Sequence, residues 1–267
     1  MRISKTFIWL SILAGILMAV VSLLGVTDPG RTYAKETVNW AAQAVGQDSV
    51  NLCVVFPTLL ISSFLVLRRD SFRAFLLWLG VLIYLIYSYV LYSFFVHFGP
   101  LFLLYVATLG LSFYSFVGVL AVLDWQKADG AFANVKTKPA SIFLGTVAIL
   151  FALLWLADIV GALARGGVPV DLDKIGLVVN PIHVLDLAFL LPGVFIVAAL
   201  VWQRKVLGLT LAVPLLLFFV LMGLAIIAMM IVTAQKGYAL ALPQMVVMLI
   251  ITALSFAIST RYLRRIQ

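Results

Sequence analysis

The chain has 267 residues, of which 65% are hydrophobic and 10% charged, and its mean hydropathy is +1.20. This composition excludes an ordinary soluble domain, and the single cysteine, Cys53, excludes an intramolecular disulfide. The net charge of +8 does not indicate a nucleic-acid partner, because the basic residues flank apolar stretches. The first partner that the sequence predicts is therefore the lipid bilayer.

Eight apolar stretches fill most of the chain, and each can cross the bilayer as a helix, which takes roughly 20 residues. The predicted spans are 7–26, 50–67, 74–98, 100–123, 141–164, 182–202, 206–234 and 241–261. They leave no room for a soluble domain, so we expect one all-α transmembrane domain over residues 1–267. The first stretch resembles a signal sequence, but its length and the lack of a clean cleavage pattern favour a retained helix.

The basic residues predict the orientation of these spans. Eight crossings place both termini on one side of the membrane, and 13 of the 18 Lys and Arg residues fall on that side. The other five are Arg31, Lys35, Arg165, Lys174 and Lys236. Because cytoplasmic flanks carry the excess of Lys and Arg, we expect both termini inside and the longer loops, 27–49 and 165–181, outside.

The first outer loop contains a helical pattern of its own. Apolar residues recur at helical spacing between Glu36 and Gln47, and Trp40 lies among them. Trp is enriched at the headgroup level of membranes. The pattern therefore predicts a short helix on the membrane surface, ahead of the second span.

The outer loops alternate long, short, long, short, which predicts two parallel halves of four helices, residues 1–124 and 141–267. An alignment of the second and sixth spans supports this interpretation, and a basic pair follows near the inner end of each span. The residues that it matches are Pro57 with Pro192, Asn51 with Asp186, and Asp48 with His183. The alternative is coincidence, because many helices that run from outside to inside share this order of features.

Polar residues inside the spans provide the candidate site. A charged side chain at a helix centre costs about 2.5–3.5 kcal/mol on insertion scales, so such residues indicate function by default. Most of them lie near the predicted outer ends of their spans, and His183 shares one helix face with Asp186. The candidate residues for binding a substrate or ion are Asp158, His183, Asp186, His97, Asn51 and Asp48.

A structural role is the alternative for these residues. Asp186 would then hydrogen-bond the region of Asn180 and His183 and cap the start of the helix. Asp158 would pair with Arg165, two turns away. The sequence leaves both interpretations open.

The third and fourth spans are rich in hydroxyl groups. The third carries Tyr84, Tyr87, Tyr89 and Tyr92. Hydroxyls need partners in lipid, so we expect these two spans to pack on each other or to line a wet cavity. The chain has no nucleophile elbow, phosphate-binding loop or metal-ligand spacing, so we predict no metal and no cofactor.

Three stretches carry a resemblance to other proteins. They are Leu77-Trp-Leu-Gly80, Leu103-Leu-Tyr-Val-Ala107 with Leu109-Gly-Leu-Ser112, and Asn180-Pro-Ile-His-Val-Leu-Asp-Leu-Ala188. They resemble an uncharacterised group of bacterial eight-helix multi-pass membrane proteins. The resemblance covers most of the chain and implies a bacterial plasma membrane, but it transfers no function.

Three hypotheses of function follow. The first is a transporter or channel-like protein for a small solute or ion, with a polar cavity open to the outer side. The second is a membrane-embedded enzyme that acts on a lipid or isoprenoid headgroup, with His183 and Asp186 as acid and base. The third is a partner or sensor subunit without a site. A cavity that passes the midplane favours the first, a lateral opening at headgroup depth favours the second, and the lack of any polar cavity favours the third.

Overall fold

The computed structural model describes residues 5–169 and 172–266, apart from the side chain of Asp173. Residues 1–4, 170, 171 and 267 lie outside it, and these include the first residue of the predicted half 1–124 and the last residue of the predicted half 141–267. The described chain is helical and contains no strand. Eight helices are long and apolar enough to span a membrane, which confirms the predicted fold class. Spans 1 to 8 are Lys5–Thr27, Val38–Arg69, Phe72–Phe95, Phe102–Ala121, Lys138–Ala164, Pro181–Trp202, Val206–Gln235 and Leu242–Leu263.

Local sequence signals account for where the spans begin. The Ser71 Oγ accepts a hydrogen bond from the Ala74 N–H at 3.3 Å and caps span 3. Thr37 caps span 2 in the same way through the N–H of Trp40. Spans 5, 6 and 8 carry a proline in their first turn, where the missing N–H has no helical partner to lose.

Span 2 corrects one prediction. The helix predicted to lie on the membrane surface is instead the first part of span 2, which extends from Val38 to Arg69. Its close packing against span 7 explains the difference. A Cβ on Gly46 would lie 2.5 Å from the Cα of Met229, so only glycine lets the two backbones approach this closely. The segment therefore packs into the bundle.

Two π-helical turns interrupt spans 2 and 6. They cover Asn51–Val55 and Asp186–Leu190, and in each the first carbonyl accepts from the N–H five residues later. Pro57 and Pro192 follow directly, and a proline removes the N–H that the regular helical ladder would use. The turns thus begin at Asn51 and Asp186, which the sequence alignment matches with each other.

Spans 3 and 7 form the centre of the bundle. They pack against each other; span 3 also contacts spans 2 and 4, and span 7 also contacts spans 2, 6 and 8. The largest fully buried side chains of span 3 include Trp78, Tyr84 and Tyr89. In the first predicted half, span 4 packs against both span 1 and span 3. In the second, span 5 packs against span 6 and makes few contacts with span 8. The parallel repeat remains a prediction.

Contacts between loops define the two ends of the bundle. At the predicted outer end, Lys35 Nζ donates to the Phe98 carbonyl and Glu36 contacts His97. At the opposite end, the Arg73 guanidinium donates to the Ile266 carbonyl, and Arg204 donates to carbonyls of the loop before span 5. The connections between spans therefore alternate from end to end as predicted.

Reporter fusions test the orientation. We expect fusions after Lys138 and after Arg265 to report the cytoplasm, because the basic residues concentrate at that end. A fusion within residues 166–174 is expected to report the outside. An outside signal at Lys138 would contradict the predicted orientation.

Candidate functional site: two buried carboxylate clusters

Two clusters of polar side chains lie inside the bundle, each around one carboxylate. The Asp48 cluster joins spans 1, 2 and 3 and the segment between spans 1 and 2; it consists of Ser22, Tyr33, Asp48, Asn51, Tyr84 and Tyr92. The Asp186 cluster joins spans 3, 5 and 6; it consists of Tyr87, Trp155, Asp158, His183 and Asp186. Both arise because polar side chains within lipid-embedded helices must find partners in the protein.

Asp48 is fully buried, and three hydroxyl groups hold its carboxylate. Ser22 donates to Oδ1 at 2.8 Å, and Tyr92 donates to the same oxygen at 2.9 Å. Tyr33 donates to Oδ2 at 2.5 Å. No Lys, Arg or His of the described chain forms an ion pair with this carboxylate. Neutral donors alone therefore compensate the loss of water around Asp48.

A directed chain of hydrogen bonds supports these donors. Tyr84 donates to Oδ1 of Asn51 at 2.9 Å, and Nδ2 of Asn51 donates to Oγ of Ser22 at 3.2 Å. Because Ser22 accepts from Asn51, its own hydrogen is directed to Asp48. Asn51 thus orients Ser22, one of the three hydroxyl donors to the carboxylate.

The backbone of span 1 closes the Asp48 cluster on one side. A Cβ on Gly25 would lie 1.9 Å from Oδ2 of Asp48 and 2.9 Å from the Tyr33 hydroxyl. The absence of a side chain at this position lets the carboxylate pack directly against span 1. Gly25 and Ser22 are three residues apart, so both face the cluster from one side of the helix.

Tyr33 lies outside the spans but is buried against them. Burial raises the pKa of its hydroxyl well above the ordinary value, and the neighbouring Asp48 carboxylate raises it further. Tyr33 therefore stays a neutral hydrogen-bond donor at physiological pH. It connects the segment between spans 1 and 2 to the carboxylate.

Three further polar atoms lie beside the Asp48 cluster without a hydrogen bond of good geometry. They are Gln47 Nε2, Ser88 Oγ and Tyr89 Oη, and all three residues are buried. The ring of Tyr89 stacks on that of Tyr92 at 5.3 Å. Buried polar atoms without partners are rare, and each one calls for an explanation in strain or function.

In the second cluster, Asp186 is buried and accepts hydrogen bonds from two neutral donors. Tyr87 donates to Oδ1 at 2.9 Å, and the indole N–H of Trp155 donates to Oδ2 at 2.8 Å. Asn180 caps the start of span 6 by accepting from the N–H groups of Ile182 and His183. The cap is therefore Asn180, and Asp186 reaches instead into the bundle.

Asp158 and His183 lie beside Asp186, at the edge of the bundle. Nε2 of His183 lies 3.7 Å from Oδ2 of Asp158, and the His183 ring lies 4.8 Å from that of Trp155. The His183 side chain is 7% exposed and that of Asp158 is 38% exposed. Asp158 forms no ion pair with Arg165, although both residues are described. The pair thus connects the buried cluster to the surface.

Span 3 links the two clusters. Tyr84 and Tyr92 contact the Asp48 cluster, whereas Tyr87, one turn from Tyr84, reaches Asp186. The Tyr87 ring also packs on Phe218 of span 7 at 5.4 Å. The hydroxyl pattern of span 3 therefore serves two carboxylates as well as helix packing.

His97 lies apart from both clusters. Span 3 ends at Phe95 rather than at residue 98, so His97 follows the helix. Its Nδ1 lies 3.0 Å from Oε2 of Glu36, and its backbone N–H donates to Oε1 of the same residue. The structure thus brings Asp48 and Asn51 together, brings Asp158, His183 and Asp186 together, and leaves His97 in the loop between spans 3 and 4.

Two shallow, open apolar cavities lie along the surface groove between spans 5 and 6. Their volumes are about 290 and 220 Å³, and Phe195 lines both. The smaller cavity is bounded by Ala152 and Leu187, which lie one turn or less from Trp155 and Asp186 in the sequence. The groove therefore ends close to the Asp186 cluster.

The sequence did not indicate three residues of these clusters, Ser22, Tyr33 and Trp155, nor Gly25, which packs against the Asp48 cluster. A lone serine and a glycine in an apolar helix, or a tyrosine in a loop, carry no motif. For Tyr84 and Tyr92, the richness of the third span in tyrosine was the signal.

The fold and the two clusters define a polytopic α-helical membrane protein with ionisable groups inside the bundle. Comparison with known proteins adds no narrower class: no family model, no curated protein and no solved structure matches the chain. The function is therefore argued from the clusters themselves.

Proposed function

We propose that the protein moves a small solute or ion across the membrane and that Asp48 and Asp186 lie on its path. One observation carries this proposal. Two carboxylates are buried in spanning helices, each is held only by neutral donors, and each lies at or within one turn of a π-helical turn. The proposal places the protein in the plasma membrane of a bacterium, with the clusters towards the outer side.

The energetic cost of these carboxylates supports a functional role. An apolar pair of similar volume would join the same helices without the cost of placing a charge inside the membrane. Retaining two such groups is expected where their charge is used. Acidic residues inside spanning helices characterise ion pathways and proton relays.

The irregular backbone supports the same role. π-helical turns are frequent at functional sites, and discontinuous helices form the substrate and ion sites of many transporters. In this protein both turns contact tyrosines of span 3, the helix at the centre of the bundle. A small movement of span 3 would therefore act on both clusters at once.

A second candidate function has its own observation. Asp158 is partly exposed beside the buried His183, and the lining of the apolar groove between spans 5 and 6 comes within about two helical turns of both residues along the chain. A membrane-embedded enzyme could hold a lipid or isoprenoid chain in that groove and its headgroup at the pair. This arrangement explains Asp158 and His183 but gives no role to Asp48.

Reconstitution distinguishes the two candidates. Purified protein in liposomes would be tested against amino acids, sugars, organic acids and inorganic ions, with uptake and capacitive currents as readouts. We expect one class of solute to give a signal above protein-free liposomes. Mass spectrometry of the lipids in the same liposomes is the control. A modified headgroup without any solute uptake would contradict transport and favour the enzyme.

A further inference from the structure

We infer that the ion taken by the Asp48 cluster is a proton, bound by the carboxylate of Asp48, and that its binding releases Tyr33. The inference rests on the proposed function, because it identifies the ion that the transport site uses. It follows from the room around the carboxylate, the direction of its hydrogen bonds and the position of Tyr33.

The room around Asp48 favours a proton over a metal cation. Both carboxylate oxygens already accept from hydroxyls at 2.5 to 2.9 Å, and the Cα of Gly25 closes another side. A Na⁺ or Ca²⁺ ion requires several oxygen lone pairs directed at one point. Here the surrounding hydroxyls direct hydrogens to the carboxylate, and a proton needs no added volume.

The groups that face Asp48 carry no charge of their own. From span 1 these are Ser22 and Gly25, from span 2 Asn51, from span 3 Tyr84, Tyr89 and Tyr92, from span 4 Tyr105, and from the outer segment Tyr33. Of the charged residues in the segment between spans 1 and 2, Glu36 contacts His97 and Lys35 donates to the Phe98 carbonyl, so neither pairs with Asp48. The protonation of Asp48 therefore changes the net charge of the whole cluster by one unit.

Binding of a proton also changes the hydrogen bond to Tyr33. A proton on Oδ2 forms a new O–H bond and converts the carboxylate to a carboxylic acid. The Tyr33 hydroxyl must then turn its hydrogen away and accept, or separate from Oδ2. Either way the charge-assisted bond is lost, and a neutral bond that replaces it is roughly half as strong. The link between Asp48 and Tyr33 thus weakens on protonation.

Tyr33 anchors the segment that covers the Asp48 cluster, which we call the outer strap and define as residues 28–37. Outside the cluster, the strap is held by Lys35 on the Phe98 carbonyl, by Glu36 on His97 and by Thr37 on the Lys174 carbonyl. These bonds lie at the exposed end of the bundle. Tyr33 is the buried anchor of the strap, so a weaker bond to Asp48 favours opening of the outer end.

Infrared difference spectroscopy tests the inference on the purified full-length protein. Acidification is expected to produce a carboxylic C=O band in the wild type that is lost in Asp48→Asn and retained in Asp186→Asn, the matched control. In Tyr33→Phe the band is expected at a higher pH than in the wild type, because one donor to the carboxylate is gone. This variant keeps Asp48 and tests the site even if Asp48→Asn fails to fold.

Two results would overturn the inference. One is a set of identical bands in the wild type and Asp48→Asn. The other is a band that shifts when Na⁺ replaces choline at constant pH, which would show competition by a metal cation. Neither readout needs a transported solute. The carboxylic C=O band can therefore be observed even if the protein transports nothing, so failure of the proposed function can be told from failure of this inference. Conversely, Na⁺-driven uptake with no such band would preserve the proposed function and exclude the proton.

Discussion

Valine in place of Gly46 is expected to destabilise the bundle strongly. The added Cβ would lie 2.5 Å from Met229 Cα and 2.6 Å from Met229 N, both backbone atoms that no rotamer change can move. Overpacking of this kind typically costs about 1–3 kcal/mol, and a branched side chain against backbone is expected at or above the upper limit. Span 2 and span 7 would then separate around the Asp48 cluster.

Thermal unfolding of the detergent-solubilised protein measures this effect, with Gly110→Val as the control. Gly110 lies inside span 4, and a Cβ there would meet no atom within 4 Å. Both variants carry the same change of helix propensity, so the difference between their melting temperatures isolates the contact with span 7. Equal melting temperatures would show that spans 2 and 7 do not approach as described.

Alanine in place of Asp48 is expected to have the second large effect on stability. It removes the acceptor of Ser22, Tyr33 and Tyr92, and each buried hydroxyl left without a new acceptor costs about 1–3 kcal/mol. Asparagine keeps one oxygen acceptor, so Asp48→Asn is expected to lie between alanine and the wild type.

Melting temperatures of the three proteins, with Asp129→Ala as an exposed control, give the order directly. Asp129 lies on the surface, where substitutions usually change stability by about 0.5 kcal/mol or less. If Asp48→Ala were as stable as Asp129→Ala, the three hydroxyls would not depend on the carboxylate. That result would contradict the hydrogen bonds described for the Asp48 cluster.

The apolar spans could be predicted from the sequence because their signal is compositional. The predicted spans 182–202 and 206–234 differ from Pro181–Trp202 and Val206–Gln235 by a single residue at one end. Lipid permits only helices with internally satisfied backbones here, so hydropathy alone determines the element. The π-helical turns ahead of Pro57 and Pro192 were not predicted, although the alignment had matched these two prolines.

The start of span 2 could not be predicted in this way. Residues 38–49 include Asn39, Gln43, Gln47 and Asp48, and these polar residues lower the hydropathy of a segment that is nevertheless inside the bundle. Their partners come from other helices, such as Ser22 and Tyr92 for Asp48. Hydropathy is a property of one segment and contains no information on such partners.

The neighbours of the candidate residues could be predicted only in part, because they too depend on the packing of other helices. Asp158, His183 and Asp186 are close in the structure because spans 5 and 6 pack together, and the sequence indicated a similar depth for them. His97 shares that depth but lies in the loop between spans 3 and 4, since span 3 ends two residues before it. Depth along the membrane normal can be predicted from position in a span, whereas the neighbours at that depth depend on helix packing.

Transport by Asp186→Asn, expressed per amount of folded protein, tests the central claim that these carboxylates serve function rather than architecture. Asparagine keeps the shape and one acceptor for Tyr87 and Trp155 but removes the charge. With the solute identified in liposomes, we predict a fall of at least about tenfold, or about 1.4 kcal/mol, at an almost unchanged melting temperature. A loss of transport only in proportion to a loss of folded protein would contradict the claim and assign Asp186 a structural role.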